Sequence, residues 1–273
     1  MVTLRQIAPI FRRARQLRHT PPAQSPRTLP VVVSLTSIPS RLSFVDLAVR
    51  SLLAQEQGPE QVWLWLHPSL ATDLPARLRA LIGERFAIRY VEGTSSYRKL
   101  LPALSAAPGT TLVTADDDVM YDPQWLARLW TTHERHPRDV VAHEARCISY
   151  ARDGALLPYV RWPRESRAGV CYPALLPIGF GGTLYPVGSL HAEVGDEARA
   201  LSLAPSADDL WFKAMSLRAG TASRRVDDPL PPPLPAPGAK RSALSVRNIV
   251  GDRNRAQWST LDQAFGFGRL AAS

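Results

Sequence analysis

Three consecutive aspartates, Asp116, Asp117 and Asp118, form the densest group of reactive side chains in the sequence. They follow residues 112–114, a segment that is predicted to be a strand, with only Ala115 between. In an open parallel sheet, ligands bind beyond the carboxyl ends of the strands. Carboxylates about 4 Å apart repel each other by about 1 kcal/mol per pair even in water, and by more when they are partly buried. A bound Mg²⁺ or Mn²⁺, which prefers oxygen ligands, would relieve that repulsion.

Alternation along the chain decides which of the three acids would face such a cation. In an extended segment, residues 116 and 118 point to one side and residue 117 points to the other. Asp116 and Asp118 are therefore the predicted metal ligands. The alternative is a solvated acidic turn, which is common after strands.

Two further polar loops follow predicted strands and are expected at the same edge of the sheet. Residues 36–41 contain Thr36 and Arg41, and residues 94–99 end in Lys99. A guanidinium can bind a phosphate through two hydrogen bonds, although Arg41 could equally be an ordinary surface residue. Cations beside an acidic metal site are the charge pattern that a nucleoside diphosphate requires. The chain contains neither a Walker-type loop nor a GxGxxG pattern, which counts against ATPases and dinucleotide enzymes.

A glycine-rich segment at residues 178–186 could lie against a ligand. Glycine lets the backbone come close to a bound molecule, so Gly181 and Gly182 could line such a site, and the Tyr185 ring could offer a flat face to a sugar. A tight-turn packing motif explains the same residues equally well.

A second acidic pair, Asp208 and Asp209, begins a predicted helix over residues 206–219. Acids at a helix N-terminus complement the helix dipole, which is the simpler explanation. The functional alternative is a general base, which typically contributes about 10²–10⁴ in rate.

The elements around these residues alternate between strand and helix, which predicts a mostly parallel, doubly wound α/β sheet. We predict strands at 31–35, 62–66, 88–91, 112–114 and 140–143, and helices at 44–55, 73–83, 100–106, 122–136 and 206–219. A domain over residues 30–273 would comprise a nucleotide-sugar-binding half (30–150), an acceptor half (151–226) and a C-terminal part (227–273). That last part contains a proline-rich strap at 228–237.

Residues 1–29 form a basic N-terminal segment with six arginines and no acid, and so carry most of the net charge of +9. The remainder is close to balanced, so no nucleic-acid partner is expected. Apolar residues recur at helical spacing and could place a helix on an anionic membrane surface; they are Leu4, Ile7, Phe11, Ala14 and Leu17. A disordered basic leader is the alternative, and residues 20–30 are predicted to be a linker.

Length and cysteine content narrow the class of protein. The chain has 273 residues and is 45% hydrophobic, which suffices for a full core. Two cysteines exclude a disulfide scaffold. With no secretory signal visible, we expect a cytoplasmic protein, with peripheral contact at the inner face of the membrane as an open possibility.

An ordered series of segments resembles bacterial glycosyltransferases of the GT-A fold, in the broad family-2-like group that builds cell-surface polysaccharides. The series is VVVSLTSIPSR, SLLAQ, YRKLLPAL, TADDDVMYDPQWL, GFGGTLYP and ADDLWFK, and the resemblance covers roughly residues 30–260. The resemblance implies a single GT-A, Rossmann-like domain in which Asp116 and Asp118 hold Mn²⁺ or Mg²⁺ as a DxD motif. It further implies a nucleotide-diphosphate sugar as donor and a glycan or lipid-linked glycan as acceptor.

The resemblance also implies roles for the other candidates. Thr36, Arg41, Lys99 and Asp117 would belong to the nucleotide-binding side. Gly181, Gly182 and Tyr185 would line the junction between donor sugar and acceptor. Asp209 would be the catalytic base, with Asp208 as second choice, and His191 could be an extra metal ligand. The reaction would be inverting, and the absence of a QxxRW-type motif argues against a processive synthase.

Two other functions stay open at this point. A metal-dependent nucleotidyltransferase or phosphohydrolase also needs acids and a cation, but usually has a phosphate-binding loop or a second metal cluster. A non-catalytic, membrane-associated carbohydrate-binding protein would need no second acidic pair.

Overall fold

The computed structural model describes residues 4–20, 27–93, 95–239 and 251–271. The predicted linker therefore lies partly outside the described residues, at positions 21–26. Thr94, in the predicted loop after the third strand, also lies outside them, as do residues 240–250 and 272–273 of the C-terminal part.

A seven-stranded sheet forms the centre of the molecule, with the order β10-β6-β9-β4-β1-β2-β3. Strand β9 runs antiparallel to β4 and β6, and the other pairs are parallel. Two small sheets pair β11 with β5 and β7 with β8. The strands are β1 Arg27–Thr36, β2 Gln57–Leu66, β3 Phe86–Tyr90, β4 Thr111–Thr114, β5 Val119–Met120, β6 Val140–Ala142, β7 Ala145–Cys147, β8 Leu175–Pro177, β9 Thr183–Tyr185, β10 Ser223–Arg225 and β11 Leu234–Pro235.

Helices flank this sheet, which confirms the predicted mostly parallel α/β fold. The α-helices are α1 Leu4–His19, α2 Val45–Leu53, α3 Ala76–Arg79, α4 Leu101–Ala106, α5 Trp125–Arg135, α6 Glu197–Leu203, α7 Asp208–Arg218 and α8 Arg253–Phe265. Within the described ranges, none of them combines the length and the apolar composition that a membrane crossing requires.

Strand β1 lies at the middle of the core because both of its faces are covered. Val31, Val33 and Leu35 pack into a cluster with α2 and α5, whereas Val32 joins a second cluster with Trp63 and Trp65. A continuous apolar run is typical of a strand in such a sheet, since neither side meets water.

Two predicted strand starts, at residues 31 and 62, are wrong. Strand β1 begins at Arg27, inside the predicted linker, and β2 begins at Gln57. The first residues of β1 pair with Gln57–Pro59 of β2. Proline cannot donate a ladder hydrogen bond, but Pro30 falls in an irregularity of the register between Leu29 and Val32. Because of that irregularity, the strand continues through Pro30, where the sequence predicts the end of a linker.

Two predicted helix starts are also wrong. The helix expected at 73–83 is only Ala76–Arg79, and its cap position is Pro75, so Asp73 does not cap it. Helix α5 begins at Trp125, and the Asp122 carboxylate accepts a hydrogen bond from the backbone of Gln124 at 2.9 Å. Asp122 thus closes a local turn before the helix.

Helix α1 packs on the body of the protein. Ala14 and Leu17 are buried in a cluster with Phe44 and Leu47, and Arg18 forms an ion pair with Asp46 at 3.0 Å. The helical spacing of this segment is therefore explained in part by contacts with α2. Contact of its exposed side with an anionic membrane stays a prediction.

The proline-rich strap is fastened beside the three aspartates. Strand β11 pairs with β5, and the backbone N–H of Ala236 donates to the carbonyl of Asp118 at 2.8 Å. At its other end, Asp227 pairs with Arg135 at 2.9 Å and Asp228 pairs with Arg128. The strap thereby fixes the backbone of Asp118 from outside the main sheet.

The packing of α1 predicts a stability difference between two of its apolar residues. Leu17→Ala is expected to lower the free energy of unfolding by about 2–3 kcal/mol, because Leu17 is only 4% exposed. Phe11→Ala, at a side chain that is 58% exposed, should change it by less than about 0.5 kcal/mol. Urea unfolding of both variants provides the measurement, and equal effects would contradict the docking of α1.

Candidate active site

The candidate residues approach one another at the carboxyl edge of the sheet. Asp116 to Asp118 follow β4, and the adjacent strand β1 ends at Thr36. The Thr36 hydroxyl donates to the carbonyl of Trp65 at 3.0 Å, so in this structure it closes the end of β2. A contact between Thr36 and a nucleotide stays a prediction.

Lys99 joins the two acidic groups that the sequence separates by about ninety residues. Its Nζ lies 3.2 Å from Asp116 Oδ1 and 2.9 Å from Asp208 Oδ2, and its side chain is 8% exposed. Burial alone would lower the pKa of the ammonium, but the carboxylates of Asp116, Asp208 and Asp209 raise it well above its ordinary value. Lys99 is therefore a permanent positive charge between both acidic groups.

Asp208 is held from a second direction by the loop before α4. The hydroxyl of Ser96 donates to Asp208 Oδ1 at 2.7 Å. Ser96 and Lys99 belong to the same 3₁₀ turn, Ser96–Lys99. One turn of chain thus fixes both oxygens of Asp208.

Arg41 joins Asp117 and Asp118. Its two terminal nitrogens lie 2.5 Å from Asp117 Oδ1 and 3.0 Å from Asp118 Oδ2. The Ser37 hydroxyl donates to the other oxygen of Asp117 at 2.5 Å. The Asp117 side chain is only 4% exposed, so in this structure it positions Arg41 and Ser37, and its contact with a nucleotide stays a prediction.

Asp116 and Asp118 are the members of the triple that solvent reaches. Their side chains are 29% and 23% exposed. Burial and the neighbouring charge of Asp116 raise the pKa of Asp118 to about 6, despite the opposing effect of Arg41. Arg41 therefore offsets only part of the cost of burying the Asp118 carboxylate beside Asp116.

Asp209 lies under the glycine-rich loop, on the same side as Lys99. The backbone N–H of Gly179 lies 3.2 Å from each of its carboxylate oxygens. Burial and the charge of Asp208 raise the pKa of Asp209 to about 7, against the opposing effect of Lys99. A Cβ at position 179 would lie 2.7 Å from Lys99 Nζ and 2.8 Å from Asp209 Oδ1, so a side chain there would push both charged groups from their present positions.

The other glycines of the loop lie against protein atoms. A Cβ on Gly181 would lie 2.6 Å from the Cγ of Glu144. Gly182 has φ +91°, and a Cβ there would lie 2.3 Å from the Trp125 ring, whose indole N–H donates to the Gly181 carbonyl at 2.7 Å. This arrangement fits the tight-turn packing alternative.

Tyr185 also differs from its predicted placement. It is 5% exposed, lies in the core beside Phe212 at a centroid distance of 5.9 Å, and presents no open face to a sugar. Its position on β9, between β4 and β6, explains that burial.

His191 is engaged at a helix start. Its Nδ1 accepts a hydrogen bond from the backbone N–H of Glu193 at 3.2 Å. Within the described part of the chain, no hydrogen bond or ion pair joins His191 to Asp116 or Asp118, and no three His, Cys, Asp or Glu side chains are grouped as a metal site. The role of His191 as an extra ligand stays a prediction.

Sequence reasoning missed Tyr121, although it braces the site. The backbone N–H of Asp116 donates to the Tyr121 hydroxyl at 2.8 Å, and that hydroxyl donates to the carbonyl of Phe180 at 3.2 Å. One buried phenol thus connects the aspartate loop to the glycine loop. No spacing in the sequence distinguishes it from an ordinary core tyrosine.

Comparisons with known proteins give a limited result. No family model matches the chain, and no curated protein matches it. Among solved structures, similarity is found to a CMP-2-keto-3-deoxy-manno-octonic acid synthetase complexed with CTP, at 13% identity, 78% coverage of this chain, 94% of that chain and a TM-score of 0.43. Residues 1–349 of TarS from S. aureus are also similar, at 13% identity, with 87% and 72% coverage and a TM-score of 0.49. The same TarS fragment in complex with UDP is similar at 14% identity, with 73% of this chain and 58% of that chain covered and a TM-score of 0.46.

The contacts of Gly182 predict an effect on stability that backbone conformation alone would not produce. Gly182→Ala should lower the free energy of unfolding by about 2 kcal/mol more than Gly188→Ala does, because the added methyl would collide with Trp125. Gly188 also has positive φ, at +74°, but open space around it. Thermal unfolding of both variants tests this, and equal losses would show that φ alone matters.

Proposed function

We propose that the protein is a metal-dependent glycosyltransferase that moves a sugar from a nucleotide-diphosphate donor to a hydroxyl of a glycan or lipid-linked glycan, with inversion. One observation carries the proposal. Two acidic groups, at 116–118 and 208–209, meet at the carboxyl edge of a mostly parallel sheet, and Lys99 bridges them. Such an arrangement supplies one group for a cation and another for proton transfer.

The donor set fits Mg²⁺ or Mn²⁺ at Asp116 and Asp118. Mg²⁺ is usually held by one or two carboxylates together with substrate phosphates, so a site with two partly exposed carboxylates is sufficient. The raised pKa of Asp118, caused mainly by burial and by the neighbouring Asp116, fits an acid whose ionised form a cation would stabilise. When bound, the cation would act as a Lewis acid that offsets charge on the departing nucleoside diphosphate.

Arg41 and Lys99 supply fixed positive charge next to the place where that diphosphate would bind. Both are held in position by carboxylates, so little reorganisation is needed when the leaving group gains negative charge. This is electrostatic stabilisation by preorganised groups.

Asp209 is the proposed general base. A base works best when its pKa lies near the operating pH, and burial and the charge of Asp208 raise the pKa of Asp209 to about 7. It would take the proton of the acceptor hydroxyl as the oxygen bonds to the anomeric carbon and the bond to the diphosphate breaks. Asp208, which is engaged by Lys99 and Ser96, is less free to do so.

Product analysis tests the reaction directly. Purified protein incubated with nucleotide sugars, acceptor glycans and Mn²⁺ should release nucleoside diphosphate, and chelation should stop the release. Asp116→Asn and Asp118→Asn should each lower turnover by about 100-fold or more. Asp153→Asn, at an exposed acid in a distant loop, is the matched control.

Other products would identify the alternatives. Release of pyrophosphate from a nucleoside triphosphate and a sugar would identify a nucleotidyltransferase. Glycan binding with no nucleotide product in any mixture would favour a carbohydrate-binding protein.

The raised pKa of Asp209 predicts opposite effects on stability and turnover. The pKa in the folded protein, about 7, exceeds the ordinary value of 3.8. The folded state therefore binds more protons than the unfolded state between these values, so stability falls as the pH rises from about 4 to about 7, and the full cost is present above pH 7. Asp209→Asn should raise stability at pH 8 by about 1 kcal/mol or more, and the gain should shrink towards pH 5, while kcat falls sharply.

Asp208→Asn is the matched comparison for that measurement. It removes the ion pair with Lys99 and should destabilise the protein at both pH values. If Asp209→Asn were neutral at pH 8 and retained turnover, Asp209 would lose its assignment as the base.

A further inference from the structure

Helix α1 has two sides that lie in different surroundings. Ala14 and Leu17 are buried against the body of the protein and form its buried side. Phe11, Arg12 and Arg15 are exposed and form what we call its outer face. Residues three or four positions apart are neighbours on a helix surface, so Arg15 lies beside both Phe11 and Arg12. The outer face therefore combines one aromatic ring with two guanidinium groups.

The docking of α1 changes which of its residues can meet a membrane. An amphipathic helix normally binds a bilayer through its apolar side. In this protein that side already contacts the body, since Ala14 and Leu17 share a cluster with Met120 of β5. Phe11, in contrast, has 58% of its surface exposed. While α1 stays docked, any contact that it makes with a membrane uses the outer face.

No ion pair within the described residues neutralises the two arginines of the outer face. The side chains of Arg12 and Arg15 form neither a salt bridge nor a hydrogen bond with another residue that the structure describes. Arg18 of the same helix, by comparison, pairs with Asp46 at 3.0 Å. Residues 1–29 contain six arginines and no acid, so the neighbouring sequence adds positive charge only. Two exposed, unpaired guanidinium groups attract an anionic surface.

The chemistry of the outer face favours a lipid bilayer over other polyanions. Phosphate head groups supply negative charge to arginines, and the boundary between head groups and hydrocarbon accepts aromatic rings. An exposed phenyl ring such as that of Phe11 gains free energy when it leaves water. The rest of the chain is close to balanced in charge, which argues against the extended basic surface that nucleic acids require.

The contacts of α1 connect it to the part of the chain that carries the acidic triple. Met120 of β5 and Ala236 of the strap belong to the same buried cluster as Leu17. The Arg13 guanidinium also lies 3.5 Å from the backbone carbonyl of Tyr121. A surface bound by α1 would therefore give the whole molecule a fixed orientation, which a loose tether would not.

We propose that the outer face of α1 binds the head groups of an anionic phospholipid bilayer. Arg12 and Arg15 contact lipid phosphate groups, and the Phe11 ring enters the boundary of the hydrocarbon. The buried side of the helix stays on the protein. Binding of this kind is peripheral and weakens with salt, because ions screen exposed charges. It requires no nucleotide and does not rest on the proposed function.

Flotation of the full chain with lipid vesicles tests this surface. The wild-type protein should float with vesicles of phosphatidylcholine and phosphatidylglycerol but not with phosphatidylcholine alone, and added salt should reduce the bound fraction. The double variant Arg12→Gln, Arg15→Gln should lower binding by about fivefold per charge. Phe11→Ala should lower it by about threefold or more, because less apolar surface leaves water. The matched control is Arg77→Gln, Arg79→Gln, which removes two exposed charges from α3.

Leu17→Ala separates the outer face from the buried side. The proposal predicts that folded Leu17→Ala floats as the wild-type protein does, since Leu17 faces the protein and not the lipid. If α1 instead left the body and inserted its apolar side into the bilayer, Leu17→Ala would bind vesicles more weakly than the wild type. That result would contradict the proposed face.

Three further results would overturn the proposal. One is a wild-type protein that does not float with the anionic vesicles. Another is an equal loss of binding in the α1 and α3 double variants, since net charge alone would then explain it. The third is tighter binding of the wild-type protein to duplex DNA than to the vesicles, which would identify a different partner. None of them bears on glycosyl transfer, which is measured without vesicles.

Discussion

The buried ammonium of Lys99 is the interaction on which the rest of the site depends. It lies within ion-pair distance of Asp116 and Asp208, and it has 8% of its side chain exposed. Without that charge, the carboxylates of Asp116 and Asp208, from two distant parts of the chain, would repel each other with only partial screening by solvent. Removing one partner of a buried ion pair leaves the others uncompensated, which is why such groups act as a unit.

Close packing around the buried charges also explains the glycines at residues 179–182, the glycine loop. Gly179 lies against Lys99 and Asp209, Gly181 against Glu144, and Gly182 against Trp125. A Cβ at Gly181 or Gly182 would collide with these neighbours, and one at Gly179 would displace the two charged side-chain ends. The strap adds a further constraint, since it binds the backbone carbonyl of Asp118 through Ala236. The backbone that carries the proposed metal ligands is thus fixed by the strap, while their carboxylates stay partly exposed.

The parts that the sequence predicted well are those decided by local pattern. The apolar run of β1 and the position of Asp116 to Asp118 after β4 follow from neighbouring residues alone, and so does the alternation of strands with helices. Predictions failed where distant contacts decide. Pro30 is accommodated by a register irregularity against β2, and Tyr185 is buried because β9 lies between two other strands.

The site residues also divide into features that local sequence predicts and features that distant contacts decide. Arg41 and Lys99 were expected beside phosphates because of their chemistry, but their ion pairs with Asp117 and Asp208 join residues far apart in the chain. Tyr121 was missed because its hydroxyl acts only through the backbone of Asp116 and Phe180. Residue type and spacing therefore predicted which groups are reactive, whereas three-dimensional packing determines which of them meet.

Manganese binding followed by electron paramagnetic resonance tests the central claim most directly. In the presence of UDP or GDP, the protein should remove about one equivalent of free Mn²⁺ signal, and substitution of Asp116 and Asp118 by asparagine should restore that signal. An unchanged manganese spectrum with the wild-type protein and every nucleotide would contradict the account, since the acidic triple would then hold no cation.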